Sequence, residues 1–190
     1  MTAGSVRCFV AVPLDAALRS TLAASAATWS GQPPADALRW SQPDGWHLTL
    51  VFLGDVNPDD IGSIGSIVES VAARHRRLRL PTGRLGAFPR SGSARVLWYA
   101  VGDPDGSLGA IAADLARALG LPQDEPYRPH VTLARARRGH VDLRGWIEAA
   151  SVSAPETTLG VERLELMRSH LDGGPARYET LATLALGGAP

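Results

Sequence analysis

The sequence lacks lysine, has a single cysteine, and contains no apolar run long enough to cross a bilayer as a helix. All 19 basic residues are arginine and they balance 19 acidic residues, so the overall charge does not indicate a nucleic-acid coat protein. The lone Cys8 excludes an intramolecular disulfide and lies in an apolar stretch, as a small core residue would. Because no basic segment with a long apolar core opens the chain, we expect no signal peptide, no membrane association and a cytoplasmic location.

The length of 190 residues and the hydrophobic content of 45% predict one domain spanning 1–190. Hydrophobic periodicity predicts strands that alternate with helices, the first helix being capped by Asp15. The predicted strands are 6–14, 46–54, 78–88, 94–101, 130–135, 158–169 and 176–186, and the predicted helices are 15–29, 57–71, 107–119 and 141–150. The Gly- and Pro-rich segment 30–45 is predicted as a loop. Because the strands are mainly connected as hairpins, we predict an α+β fold with antiparallel sheet in two similar lobes, rather than a parallel doubly wound sheet.

The tetrapeptide His-x-Thr-Leu occurs twice, as HLTL at 47–50 and as HVTL at 130–133, each time inside a predicted strand. Side chains alternate along a strand, so the His and Thr of each copy project from one face while the apolar residues bury the other. A single copy is most simply a half-buried histidine beside a residue that favours strands. Two copies in the same context indicate a functional pair.

Such a pair suits in-line displacement at phosphorus. One imidazole takes a proton from the attacking oxygen and the other gives a proton to the departing oxygen, and two hydroxyls can donate hydrogen bonds where negative charge develops. The sequence has no cysteine partners, no HExxH motif and no carboxylates at ligand spacing near either histidine, so we predict neither a metal nor a cofactor. Among the other histidines, His75 and His140 are predicted on solvated segments, and His170 is kept as an outside candidate for the site.

Four segments together resemble a known group of enzymes: HLTLVFLGDV, GRLGAFPRSGSARVLWYAV, PYRPHVTLARA and LELMRSHLDGGPARYETLA. They resemble the 2H phosphoesterase superfamily and, within it, the bacterial and archaeal RNA 2',3'-cyclic phosphodiesterases, once called 2'-5' RNA ligases. The resemblance implies a bilobal fold with pseudo-two-fold symmetry, in which two intertwined lobes form one domain and both motifs line a central cleft. It also implies metal-independent opening of the 2',3'-cyclic phosphate at an RNA or nucleotide end, leaving a 2'-phosphate. We expect a monomer.

The resemblance further implies a role for each matching residue. The proton donor would be His47, the proton acceptor His130, and the phosphate-binding residues Thr49, Thr132 and Arg135. Arg135 lies five positions after His130, and this odd offset predicts the opposite strand face unless the strand ends or bulges there. Aromatic side chains usually stack the bases of single-stranded RNA, and Phe9 and Tyr127 are the candidates.

Three alternatives remain open at the level of sequence. The same chemistry could act on another phosphoester, such as ADP-ribose cyclic phosphate or a nucleotide second messenger. The same groups could join RNA ends by the reverse reaction. A non-enzymatic RNA- or nucleotide-binding module is disfavoured because both histidines and both threonines are present. The pseudo-symmetry also leaves open which histidine is the acid and which is the base.

Overall fold

The computed structural model describes residues 4–123, 126–170 and 176–188, which contain nine strands and four α-helices. In chain order these elements are β1 (Val6–Pro13), α1 (Ala16–Ser30), β2 (Leu38–Trp40), β3 (His47–Val56), α2 (Ile61–Ala72), β4 (Leu78–Phe88), β5 (Val96–Val101), α3 (Ser107–Ala118), β6 (His130–Ala136), α4 (Trp146–Val152), β7 (Thr157–Val161), β8 (Arg163–His170) and β9 (Arg177–Ala185). No helix in these ranges is long and apolar enough to cross a membrane.

All nine strands belong to one sheet, in the order β7-β4-β5-β6-β3-β1-β8-β9, with the short β2 paired to β6. Each strand pairing is antiparallel. The two motif strands, β3 and β6, are neighbours at the centre, and each continues into three further strands on its own side. The α+β fold with two similar halves of antiparallel sheet is therefore confirmed.

The helices pack on one face of this sheet. Helices α2 and α3 contact β8, β9 and β3 in one half, while α1 and α4 contact β7 and β4 in the other. The chain therefore crosses between the halves, since β1 belongs to the first half and the next helix packs on the second. The apolar side chains of the motif strands, including Leu48 and Leu133, are fully buried in the core beneath the helices. The His and Thr side chains are left on the opposite face, which we call the site face.

Local signals account for the helix ends. The Asp15 carboxylate accepts a hydrogen bond from the Leu18 N–H at 2.8 Å, which confirms the predicted cap of α1. Two residues after the end of α3, Gly120 has a φ of 66°, which allows the Leu121 N–H to donate to the Ala116 carbonyl at 2.8 Å. These two bonds satisfy backbone groups that a helix end would otherwise leave unpaired.

Three predicted boundaries are wrong. The segment 30–45 is not only loop, because it contains the three-residue strand β2, which is too short to show an alternating pattern. The predicted strand 158–169 is two strands that separate at Glu162. The helix predicted over 141–150 begins at Trp146, because Gly145 has a φ of 70° and interrupts helical backbone just before it.

Candidate active site

The two motifs meet across the centre of the sheet. Strands β3 and β6 pair through Leu48 and Val131, both fully buried on the helix side. His47 and Thr49 flank Leu48 on one strand, and His130 and Thr132 flank Val131 on the other, so all four side chains lie on the site face beside this bridge. The charge of His130 acts on His47, which shows that the two imidazoles are near each other. We call these four side chains the histidine–threonine centre.

Both imidazoles are oriented by the same local contact. The Nδ1 atom of His47 lies 2.8 Å from the Gly45 carbonyl oxygen, and that of His130 lies 2.7 Å from the Arg128 carbonyl oxygen. A carbonyl oxygen only accepts hydrogen bonds, so Nδ1 carries the hydrogen in each ring. The Nε2 atom is consequently the one that can take up or release a proton.

Aromatic rings surround each histidine. The His47 ring lies against Phe9 and Tyr178, with centroids 4.7 Å and 4.8 Å away. The His130 ring lies against Phe88 at 5.0 Å and, farther off, Trp98 at 6.2 Å. These contacts restrict ring rotation and keep water from the sides of the imidazoles, which favours a fixed direction for each Nε2 atom.

The surroundings lower the pKa of both histidines, and burial is the largest cause in each case. For His47, the hydrogen bond to Gly45 acts in the opposite direction, and the charges of Arg135 and His130 lower the pKa further, while Glu165 raises it. For His130, the bond to the Arg128 carbonyl raises the pKa and the charge of Arg135 lowers it. The neutral imidazole is thus favoured at both positions, and an imidazolium formed there is a stronger acid than a free one.

Arg135 is on the site face because of a bulge. The pairing of β5 with β6 skips Leu133, so that Leu133 and Ala134 are consecutive residues and both fully buried. The alternation is shifted by one position, and the exposed Arg135 returns to the face of His130. Its charge acts on both His47 and His130. The opposite-face expectation from simple spacing therefore does not hold, and the bulge that would overturn it is present.

Phe52 occupies the equivalent place in the other half. The pairing of β1 with β3 skips Leu50, so Phe52, five positions after His47, is likewise turned to the site face. Its side chain is 66% exposed, and its ring centroid is 6.2 Å from that of Phe9. Phe52 therefore corresponds to Arg135 in the pseudo-two-fold relation. The signal was present in the sequence, since HLTLVF and HVTLAR align with Phe opposite Arg.

Phe9 and Tyr127, the two aromatic residues predicted to stack a base, both pack against other parts of the protein. Phe9 is 3% exposed and packs with Ala11 and Met167, so it has no free face for a base and that prediction is wrong. Tyr127 packs against the main core, and its hydroxyl donates to the Thr49 carbonyl at 3.0 Å. This bond ties the segment before β6 to the motif strand β3, which makes Tyr127 a support of the site.

The three remaining histidines lie away from the centre. His75 bonds Asp114 at 3.0 Å, and His140 is exposed in a loop. His170 bonds Glu179 at 2.9 Å and lies on the helix side of β8, so its outside candidacy for the site is wrong. Within the described ranges, no three His, Cys, Asp or Glu side chains cluster as metal ligands.

Two imidazoles, two hydroxyls and a guanidinium on one face are the equipment of an enzyme that performs acid–base chemistry on a phosphate ester. A family model described as LigT like Phosphoesterase matches residues 12–98 and 101–176. The chain belongs to this LigT-like phosphoesterase family. The resemblance to 2H phosphoesterases noted in the sequence is thereby confirmed.

Individual relatives agree with this assignment. The chain is 30% identical over 187 residues to the RNA 2',3'-cyclic phosphodiesterase of Geobacillus stearothermophilus, covering 96% of this chain but only 58% of that protein. It is 29% identical over 194 residues to the RNA 2',3'-cyclic phosphodiesterase of Methanothermobacter thermautotrophicus, covering 95% of this chain and 99% of that protein. The crystal structure of E. coli LigT complexed with 3'-AMP matches with a TM-score of 0.76 and 25% identity, covering 97% and 99% of the two chains.

Proposed function

We propose that this protein is an RNA 2',3'-cyclic phosphodiesterase, which hydrolyses the cyclic phosphate at an RNA or nucleotide end to a 2'-phosphate. The observation that carries the proposal is the histidine–threonine centre, in which two imidazoles, each held through its Nδ1 atom, and two hydroxyls lie on one face beside the Leu48–Val131 bridge. The family membership and the names of the relatives point to the same chemistry.

In the proposed reaction, His130 acts as the base and His47 as the acid. Water attacks phosphorus while its proton passes to Nε2 of neutral His130. The bond from phosphorus to the 3'-oxygen breaks, and that oxygen takes the proton from Nε2 of His47 imidazolium. Thr49 and Thr132 donate hydrogen bonds to the two non-bridging oxygens, where negative charge increases. One P–O bond forms, one breaks, and the net change is the addition of water.

One charged neighbour distinguishes the two histidines. The negative charge of Glu165 raises the pKa of His47, against the larger lowering caused by burial, Arg135 and His130, and so acts toward the protonated form that a donor needs. Glu165 is held by a hydrogen bond of 3.1 Å from the Thr180 hydroxyl and an ion pair of 3.3 Å with Arg163. The cation Arg135 lowers the pKa of both histidines and so favours the neutral form that the base needs, without itself separating the two roles.

The remaining contacts to substrate follow from the two bulges. Arg135 would neutralise charge on the phosphate, since a guanidinium matches phosphate oxygens in geometry and charge. Phe52, on the side of His47, would stack the terminal base in place of Phe9, because an exposed ring accepts any base on its face. Phosphate and base would thus bind at opposite ends of the centre.

The natural substrate would be RNA in the cytoplasm, and the free, buried thiol of Cys8 is compatible with that reducing compartment. The continuous sheet through both halves supports treating 1–190 as one domain, and we propose that it acts as a monomer.

The test is hydrolysis of 2',3'-cyclic AMP in the presence of EDTA. We expect wild type to form 2'-AMP, and His47→Ala and His130→Ala each to lose activity while keeping the wild-type circular dichroism spectrum. His140→Ala is the matched control, because His140 is exposed in a loop away from the centre. Near-wild-type turnover by either centre variant would overturn the two-histidine mechanism. A product that is mainly 3'-AMP would mean that the acid and the base act on the other sides of phosphorus.

A further inference from the structure

Two arginines face each other on neighbouring strands beside the centre. Arg39 of β2 is the register partner of Arg135 of β6, and both side chains are exposed. Like charges directly opposite each other on an antiparallel pair are destabilising. Neither guanidinium has a hydrogen-bond or ion-pair partner among the residues that the structure describes. An arrangement that costs stability and has no internal counter-charge indicates an external anion.

The strand register places Arg39 on the site face. Phe88 of β4 pairs with Val96 of β5, Val96 pairs with Arg135, and Arg135 pairs with Arg39. Residues paired in this way share a face, and Phe88 is the ring that contacts His130. Arg39 therefore extends the site by one strand beyond Arg135.

The path from the centre to Arg39 follows one edge of β6. Strand β3 pairs with that edge near Val131, and β2 pairs with it farther along, from Ala134 to Ala136. The Ser41 N–H also donates to the Leu133 carbonyl at 2.8 Å, which fixes the segment between β2 and β3 against the bulge. Arg39 is thus held on regular backbone, one inter-strand spacing of about 4.8 Å from Arg135.

A cyclic mononucleotide carries one phosphate, and Arg135 is the residue proposed above to bind it. An RNA end carries a second anion, the internucleotide phosphate that precedes the terminal nucleotide. We propose that Arg39 binds this preceding phosphate, so that the site selects oligonucleotide ends over cyclic mononucleotides. The proposal rests on the proposed function for its substrate class. It assigns the RNA contact to β2, which lies inside the segment 30–45 that the sequence predicted only as a loop.

The experiment compares Arg39→Gln with wild type on two substrates, 2',3'-cyclic AMP and the dinucleotide ApA ending in a 2',3'-cyclic phosphate. We expect kcat/KM for the dinucleotide to fall about tenfold, the effect of losing one charge-assisted hydrogen bond to phosphate. We expect kcat/KM for 2',3'-cyclic AMP to stay within about twofold, and the slope of log kcat/KM against log salt for the dinucleotide to decrease by about 0.7. Arg74→Gln is the matched control, since Arg74 is exposed at the end of α2.

Equal losses on both substrates would overturn the proposal, because Arg39 would then act at the reacting phosphate or on the fold. No loss on either substrate would overturn it as well, leaving a solvated arginine pair. A binding measurement distinguishes failure of the Arg39 proposal from failure of the proposed function. In a His130→Ala background, adding Arg39→Gln should weaken the affinity for the dinucleotide about tenfold and leave that for 2',3'-cyclic AMP unchanged, whether or not the wild type turns over either compound. The melting temperature should be unchanged or higher, since a like-charge pair is removed.

Discussion

Leu48 of the first motif pairs with Val131 of the second across the two central strands. This bridge brings His47 and Thr49 of one half beside His130 and Thr132 of the other on the site face. Each half of the sheet therefore contributes one histidine and one threonine to the centre. The repeated tetrapeptide follows from this arrangement, because the two strands must pair before the two imidazoles and the two hydroxyls come together.

Removing one hydroxyl at the centre should slow the chemical step without disturbing the fold. We expect Thr132→Val to lower kcat about 10²-fold, the usual cost of losing one hydrogen-bond donor to a developing oxyanion. Valine suits a strand at least as well as threonine, so thermal stability should be near that of wild type. Thr132→Ser retains the hydroxyl and should keep most of kcat. If the Val variant matches the Ser variant in kcat, the hydroxyl does not contact the reacting phosphate.

Truncating the exposed ring on β3 should weaken nucleotide binding. Stacking of a base on an aromatic side chain contributes about 1–3 kcal/mol, so Phe52→Ala should raise KM for 2',3'-cyclic AMP roughly 5- to 150-fold. Phe52→Tyr keeps an aromatic face and should keep KM near wild type. The matched control is Val152→Ala, because Val152 is a second large apolar side chain that is highly exposed, at 89%. An unchanged KM for Phe52→Ala would remove this ring from the substrate site.

A methyl group at Gly86 should disturb the wall of the site. A Cβ atom there would lie 2.2 Å from the Trp98 ring, which covers this glycine and also contacts His130. We expect Gly86→Ala to lower the free energy of unfolding by about 1–3 kcal/mol, as overpacking does, and to reduce kcat because the indole must move toward the imidazole. Gly160→Ala has no atom within 4 Å of the added Cβ and should change the free energy of unfolding less. Equal denaturation midpoints for the two variants would contradict this account.

The sequence was sufficient where the physics is local. Alternation along a strand predicted that His47 and Thr49 share one face while Leu48 is buried, and the apolar pattern predicted most strands and the cap at Asp15. The face of Arg135 could not be predicted, because the bulge at Leu133 depends on how β5 and β6 pair. Spacing alone permitted either outcome.

Contacts that depend on which strands are neighbours in the sheet also could not be predicted from the sequence. Tyr178 reaches His47 only because β8 lies next to β1 in the sheet and β9 next to β8. Strand β2 is three residues long, so no periodic pattern could show that Arg39 meets Arg135. These two examples concern residues far apart in the chain, for which one sequence without an assumed sheet order offers no constraint.

Neutralising Arg135 should move the pH optimum upward. Its positive charge lowers the pKa of both His47 and His130, so Arg135→Gln should raise both. A higher pKa of the base reduces kcat/KM on the acidic side, and a higher pKa of the acid increases relative kcat/KM on the alkaline side. The profile measured with 2',3'-cyclic AMP should therefore shift to higher pH as its maximum falls. A lower maximum with no shift would mean that Arg135 contacts substrate without acting on the histidines.

Glu165 offers a way to tell the acid from the base. Its negative charge raises the pKa of His47 and is not among the charges that act on His130, so Glu165→Gln should lower the pKa of His47 alone. The Gln side chain can still accept the hydrogen bond from Thr180, and the Arg163 side chain, which loses its ion-pair partner, is 47% exposed and so can be solvated. The variant therefore changes charge with little change in packing.

The side of the pH profile that responds identifies the role of His47. At high pH, kcat/KM is limited by the protonated fraction of the acid, and at low pH by the deprotonated fraction of the base. If His47 is the acid, Glu165→Gln lowers kcat/KM on the alkaline side and leaves the acidic side unchanged. If His47 is the base, the acidic side rises and the alkaline side is unchanged, which would reverse the roles proposed above. Glu162→Gln, an exposed carboxylate three residues earlier in the chain, should leave both sides as in wild type.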